Sequence, residues 1–150
     1  MMVRPHYLTA IGLFLACALL LAHSASAEIG QIKVVAGQVF LLRNNGQQPA
    51  KAGDLVEEAD VLLTGANGSV GITLIDNSRL SAGPNSRIEL TRFRFNSTTH
   101  DGEFTTDVKH GTLAIVSGQI AKRSPDAMKI ITPTTILGVR GTTFAVKVDE

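Results

Sequence analysis

Cysteine is almost absent from this chain and tryptophan is missing altogether. The single cysteine, Cys17, lies inside an apolar run from Leu8 to Ala22. A disulfide framework, a thiolate zinc cluster and thiol redox chemistry are therefore excluded for everything after that run. Phe14-Leu15-Ala16 precedes Cys17 and more apolar residues follow it, whereas a lipid-modified cysteine would close the run behind a Leu-Ala-Gly-like box. An excess of charge of one sign is also lacking. Arg4 is one of fourteen Lys and Arg residues, so the chain beyond the run carries thirteen of them against thirteen Asp and Glu. Nucleic-acid binders carry a clear basic excess, and nucleic acid is not expected as a partner. Helical periodicity is the third absence. After Glu28 no stretch sustains apolar residues at i, i+3, i+4 and i+7; Ala50 to Asp60 comes nearest, and Gly53 interrupts it.

The amino-terminal segment has the layout of an export signal. Arg4 and His6 precede the 15-residue apolar run, and the small residues Ser24-Ala25-Ser26-Ala27 follow it. A bilayer-spanning helix needs about 20 apolar residues, so the pattern predicts a signal peptide over residues 1–27, cut after Ala27. The product, residues 28–150, would be one periplasmic or secreted domain with no stable membrane insertion. A retained signal anchor is the alternative.

Beyond Glu28, short β-branched or aliphatic runs are punctuated by Gly, Asn, Asp and Pro roughly every 8 to 12 residues, the pattern of many short strands. Val70, Ile72 and Leu74 alternate with smaller or polar residues, as do Phe144, Val146 and Val148, so each set lies on one strand face. Asn44-Asn45-Gly46 predicts a tight hairpin turn after Gln38 to Arg43, and His100-Asp101-Gly102 a second turn. Recurrent single-residue corners lead to the expectation of an all-β, solenoid-like or sandwich-like domain with two facing sheets rather than a meander of long hairpins. One segment is inconsistent with simple alternation: Ile88 and Leu90 share a face, but Phe93 and Phe95 fall on the other. Either a β-bulge near Thr91-Arg92 restores them to the core, or the two phenylalanines are exposed beside Arg92 and Arg94 as a contact site.

A series of short motifs runs through the chain in order: Val34-Val35-Ala36-Gly37-Gln38-Val39, Gly53-Asp54, Leu63-Thr64-Gly65, Leu74-Ile75-Asp76-Asn77-Ser78, Pro84-Asn85-Ser86, Ile88-Glu89-Leu90, Gly111-Thr112-Leu113, Thr132-Pro133 and Gly138-Val139-Arg140-Gly141-Thr142-Thr143-Phe144. In order and spacing the chain resembles the FecR-type periplasmic domain. The resemblance implies a role in receiving a signal outside the cytoplasm, since members include sensors standing between an outer-membrane receptor and a cytoplasmic sigma factor. No anti-sigma domain precedes the apolar run and no further domain follows Glu150, so direct sigma-factor control is not expected.

Read for their own chemistry, the motif residues are architectural. Gly53, Gly111 and Gly141 suit sharp turns or close backbone approach, and Thr142 opens the strand after Gly141. Pro84 sets a corner, and Asp54 and Asp76 suit Asx-turns. Arg140, between Val139 and Gly141, is expected to be half-buried and paired with Asp76 or Glu89. Catalysis is not expected: His100 and His110 have no accompanying nucleophile and orienting carboxylate, and Ser81, Ser117 and Ser124 sit in no Gly-x-Ser-x-Gly elbow. Asp54, Glu57, Glu58 and Asp60 lack the ligand spacing of a calcium loop and are read as a solvated turn. No cofactor and no metal are implied.

The candidate binding residues are Arg92, Arg94, Phe93 and Phe95, because planar aromatic and guanidinium groups bury large area at low entropic cost. Arg87, Lys122 and Arg123 could extend such a surface toward carboxylates or phosphates of an envelope polymer. The expected function is an exported, non-catalytic binding or signal-relaying module whose partner is an envelope protein or an anionic envelope polymer. Two other classes remain open: a structural protein that assembles by self-association through strand edges, and a carbohydrate-active enzyme.

Overall fold

A computed structural model describes residues 27–140 and 143–149. The expected signal peptide, residues 1–27, lies outside the described residues except for Ala27, as do Gly141 and Thr142. Among the described residues no helix is long and apolar enough to cross a membrane.

The described residues form twelve strands, β1 (Glu28–Ala36), β2 (Val39–Arg43), β3 (Gly46–Pro49), β4 (Leu55–Glu57), β5 (Val61–Thr64), β6 (Ser69–Leu74), β7 (Arg79–Ala82), β8 (Arg87–Phe95), β9 (Gly102–Val116), β10 (Met128–Ile131), β11 (Ile136–Gly138) and β12 (Thr143–Val148). One short helix, α1 (Gln119–Arg123), and a 3₁₀ turn over Pro125–Ala127 separate β9 from β10. All strands belong to one hydrogen-bonded network with the order β3-β2-β5-β8-β9-β7-β6-β1-β4; β10 and β12 also pair with β9, and β11 pairs with β10.

The all-β class and the minor helix content agree with the sequence, but the winding does not. Instead of stacked coils, consecutive strands pair antiparallel as hairpins, β2 with β3, β6 with β7, β8 with β9 and β10 with β11. The reason lies in the corners. Asn44, Asn45 and Asn77 adopt φ of 49°, 63° and 65°, the left-handed conformation that reverses a strand on its neighbour. A solenoid corner would instead carry the chain onward to the next layer. Nor are there two separate facing sheets: the 15-residue β9 pairs with β8 and β10 through its first half and with β7 and β12 through its second, joining both halves.

Between those halves sits Gly111, at φ +92°. A Cβ there would lie 2.2 Å from Ser86 Oγ and 2.4 Å from Ser86 Cα, so only glycine fits. The Ser86 hydroxyl accepts the Thr112 amide (2.9 Å) and donates to the Gly83 carbonyl (2.9 Å), tying the Pro84–Asn85 corner to the point where β9 passes from one half of the sheet to the other.

Alternation places the expected faces inward. Val70, Ile72 and Leu74 are buried together with Leu80, Ile88, Leu90, Phe104 and Ile115, and Val146 joins them with Phe144 and Val148 packed alongside. A single hydrophobic core results, around which the sheet curls. The curl brings β2, near one end of the strand order, to β4, at the other. Arg43 at the end of β2 donates to the Leu55 carbonyl of β4 (3.0 Å), to Glu57 (2.6 Å) and, through both Nε and Nη2, to Asp60 (2.8 and 2.6 Å).

Candidate binding surface on the β8–β9 hairpin

The hairpin of β8 and β9 carries the residues singled out from sequence, and its register decides what becomes of them. Glu89 pairs with Asp107, but the next pair is Arg92 with Thr105: β8 advances three residues while β9 advances two. This is the expected β-bulge. It turns Phe93 inward, where it is 6 % exposed and packs edge-on against Phe104 at 5.8 Å. Phe93 is thus a core residue, which corrects its assignment to a contact surface. Phe95 is half-buried, with its ring stacked on His100 at 6.2 Å and 8°.

Arg92 and Arg94 point the other way and are exposed. The alternation that buries the two phenylalanines therefore separates them from the two arginines, and no combined aromatic and guanidinium patch forms. On the outer face Arg92 lies 3.6 Å from Glu103. Arg94 makes no ion pair with a described residue. Farther along, Arg87 pairs with Glu89 (3.2 Å) and Lys109 with Asp107 (3.1 Å) and Glu89 (3.6 Å). The hydrogen bond from Asp107, followed by the nearby Asp107 and Glu89 charges, raises the Lys109 pKa above its ordinary value. This face is a ladder of matched charges with Arg94 as its uncompensated cation.

The carboxylates of residues 54–60 have structural roles instead of forming the solvated turn expected of them. Asp60 is 1 % exposed and holds Arg43. Glu58, though exposed, accepts the Phe93 amide at 2.8 Å, satisfying a backbone donor next to the bulge. The Leu90 amide donates to the Asp60 carbonyl and the Ala59 amide to the Leu90 carbonyl. Sequence reading missed this docking because loop and bulge are more than thirty residues apart; the only local signal was the density of carboxylates.

The motif residues fall as follows. Gly53 has φ +98° with open space around it, so its need is conformational alone. Asp54 accepts the Lys51 amide (2.8 Å), bonding backwards instead of forming the expected Asx-turn. Asp76 does form its Asx-turn, accepting the Ser78 amide (2.9 Å) and hydroxyl (2.8 Å) while fully buried. Pro84 occupies the corner beside Asn85, whose φ is 49°.

Arg140 is a correction. Its side chain is 74 % exposed and pairs with Asp126 (2.9 Å), not with Asp76 or Glu89. Asp76 is saturated by local donors, Glu89 is taken by Arg87 and Lys109, and Val139 turns inward, leaving Arg140 outward. Among the described residues no group of three or more His, Cys, Asp or Glu could hold a metal ion.

A family model described as FecR protein matches residues 60–150, well over half the chain. The Val34–Val39 and Gly53-Asp54 motifs lie ahead of the matched span. No curated protein and no solved structure matches.

Proposed function

We propose, from the premise that this chain belongs to the FecR protein family, that it is an exported, non-catalytic module that captures an acidic component of the cell envelope and relays its presence. The family match carries the reading, because FecR proteins are regulators that relay signals in the periplasm. Two features of the molecule support it. Its buried polar side chains Asp60, Asp76, Ser86 and Thr106 are all engaged in hydrogen bonds to the chain's own backbone or to a neighbouring structural side chain. Its outer β8–β9 face offers cations on strands paired with each other on both sides of the bulge.

Within that reading Arg94, with Arg92 beside it, is the first contact to test. A guanidinium is a planar fork that pairs carboxylates and phosphates two bonds at a time, and its exposed pairing with Glu103 costs Arg92 little to exchange. The Arg92→Ser/Arg94→Ser double variant should unfold within about 1 kcal/mol of the parent, as ordinary surface changes do. It should also recover less of any envelope partner by crosslinking and pull-down from intact cells. Equal recovery would move the contact elsewhere, and unfolding of the variant would make these arginines structural.

A further inference from the structure

On the opposite side of the β8–β9 hairpin from Arg94, the loop after β8 and helix α1 enclose a shallow hollow of about 350 Å³ lined by His100, Gln119, Lys122 and Arg123. Both walls are held in place. In the loop, Asn96 Oδ1 accepts the amides of Thr98 and Thr99 (2.9 and 3.1 Å), and the His100 amide returns to the Asn96 carbonyl. In the helix, Ile120 and Ala121 are buried in the core. Hairpin and helix meet at Gly102, where an added Cβ would lie 2.9 Å from Ile120 Cγ1. Such a concavity is pre-organised, which reduces the ordering cost of binding.

Its chemistry is specific in three respects. Lys122 and Arg123 are exposed; Lys122 has no ion pair with a described residue, and Arg123 uses only Nε on Asp101 (3.2 Å), which leaves its outer N–H groups available. The Thr99 hydroxyl and then Arg123 hold the Asp101 carboxyl below its ordinary pKa, so this small cluster keeps one net positive charge. Gln119 Oε1 is buried without a donor, and no described hydrogen bond holds either end of that amide. Turning the amide toward the hollow breaks nothing and provides an acceptor for an incoming hydroxyl. Finally, the exposed His100 imidazole lies flat on Phe95, a small plate against which an apolar ring face can rest.

We infer that this hollow binds an acidic saccharide unit, with Lys122 and Arg123 on its carboxylate, Gln119 Oε1 on a ring hydroxyl and His100 against its apolar face. The assignment rests on the capture function proposed above and names a ligand for it at a second contact, separate from Arg92 and Arg94. A bare phosphate has no hydroxyl face for Gln119 and His100. An acidic peptide would normally add to a free strand edge, and at this hollow β8 and β9 are paired with each other.

The test is calorimetric titration of the exported protein with trigalacturonate, using maltotriose, inorganic phosphate and a triglutamate peptide as comparison ligands. Saturable trigalacturonate binding, about tenfold or more tighter than any comparison ligand, is expected. The exposed double change Lys122→Gln/Arg123→Gln should weaken it about tenfold, and Gln119→Leu by a smaller factor, with melting curves unchanged; Lys51→Gln, exposed in the loop before β4, should leave it unaltered. Equal binding of phosphate or triglutamate would overturn the saccharide assignment, as would undiminished binding by the folded double variant. If cells yield a captured partner while trigalacturonate does not bind, the saccharide assignment falls and the capture function stands. Cleavage of trigalacturonate would instead overturn the non-catalytic reading.

Discussion

Two carboxylates, Asp60 and Asp76, are buried to about the same degree, yet the protein accommodates them differently. Asp60 sits where the curled sheet brings β2 to β4, and its charge is matched by Arg43 in a two-bond pairing, with the Glu57 amide as a further donor (2.8 Å). The Asp60 hydrogen bond is also the main cause that raises the Arg43 pKa. Asp76 forms no ion pair with a described residue. It is satisfied by the Ser78 amide and hydroxyl and by the Ile120 amide (3.3 Å), while its backbone carbonyl accepts the Gln119 amide (2.8 Å). The first arrangement extends the β2–β5 pairing by a charge pair from which Arg43 reaches on to Leu55 and Glu57 of β4. The second stabilises a local corner through dipoles and seats the start of α1 on it. Charge pairing is needed where backbone donors are scarce; a turn supplies its own amides.

The comparison breaks most severely at Arg43. Replacing Arg43 with Met leaves the buried Asp60 carboxylate with a single amide partner, and denaturant unfolding should register a loss of about 3 kcal/mol. Adding Asp60→Leu to that variant should cost less than the sum of the two single changes, because the pair fails as a unit. Strict additivity in the double-mutant cycle would mean that the two residues act independently.

A smaller effect is expected at the other carboxylate. Asp76→Asn keeps one acceptor oxygen but turns an NH₂ toward the donors of Ser78 and Ile120, and the loss should be about 1 to 2 kcal/mol. Hydrogen exchange should localise the change to the β6–β7 turn and α1. A loss as large as that at Arg43 would show that local dipoles carry as much of the fold as the remote ion pair.

The smallest effect sharpens the contrast from the solvent side. Arg140 and Asp126 make a close pair, but both are largely exposed, and exposed pairs contribute at most about 1 kcal/mol. Arg140→Ala should therefore shift stability by no more than about 0.5 kcal/mol. A shift comparable to that of Arg43→Met would mean that Arg140 has a packing role beyond its visible pair.

Much of the molecule is legible residue by residue, and what is legible is local. The alternation of Val70, Ile72 and Leu74 names a buried face because side-chain direction in a strand depends only on parity. Asn44-Asn45-Gly46 marks a hairpin and Asp76-Asn77-Ser78 an Asx-turn because those conformations arise within a few residues. The conflict between Ile88-Leu90 and Phe93-Phe95 points to a bulge for the same reason. The hydrogen bonds of the two turns close over short sequence separations.

Tertiary structure alone decided the rest. Whether corners turn strands back or carry them onward depends on which neighbour each strand meets, so hairpins around a curled sheet could not be told from stacked coils. Asp60 finds Arg43 because β2 pairs with β5, Glu58 reaches the Phe93 amide because β5 pairs with β8, and Arg140 meets Asp126 where β11 folds back on β10. The hollow of His100, Gln119, Lys122 and Arg123 likewise joins a hairpin loop to a helix beyond the whole length of β9. Strand direction and turn conformation are set by neighbouring residues and can be read from them. The pairing of side chains across a curl is set by where the backbone brings distant segments together, which no local pattern encodes.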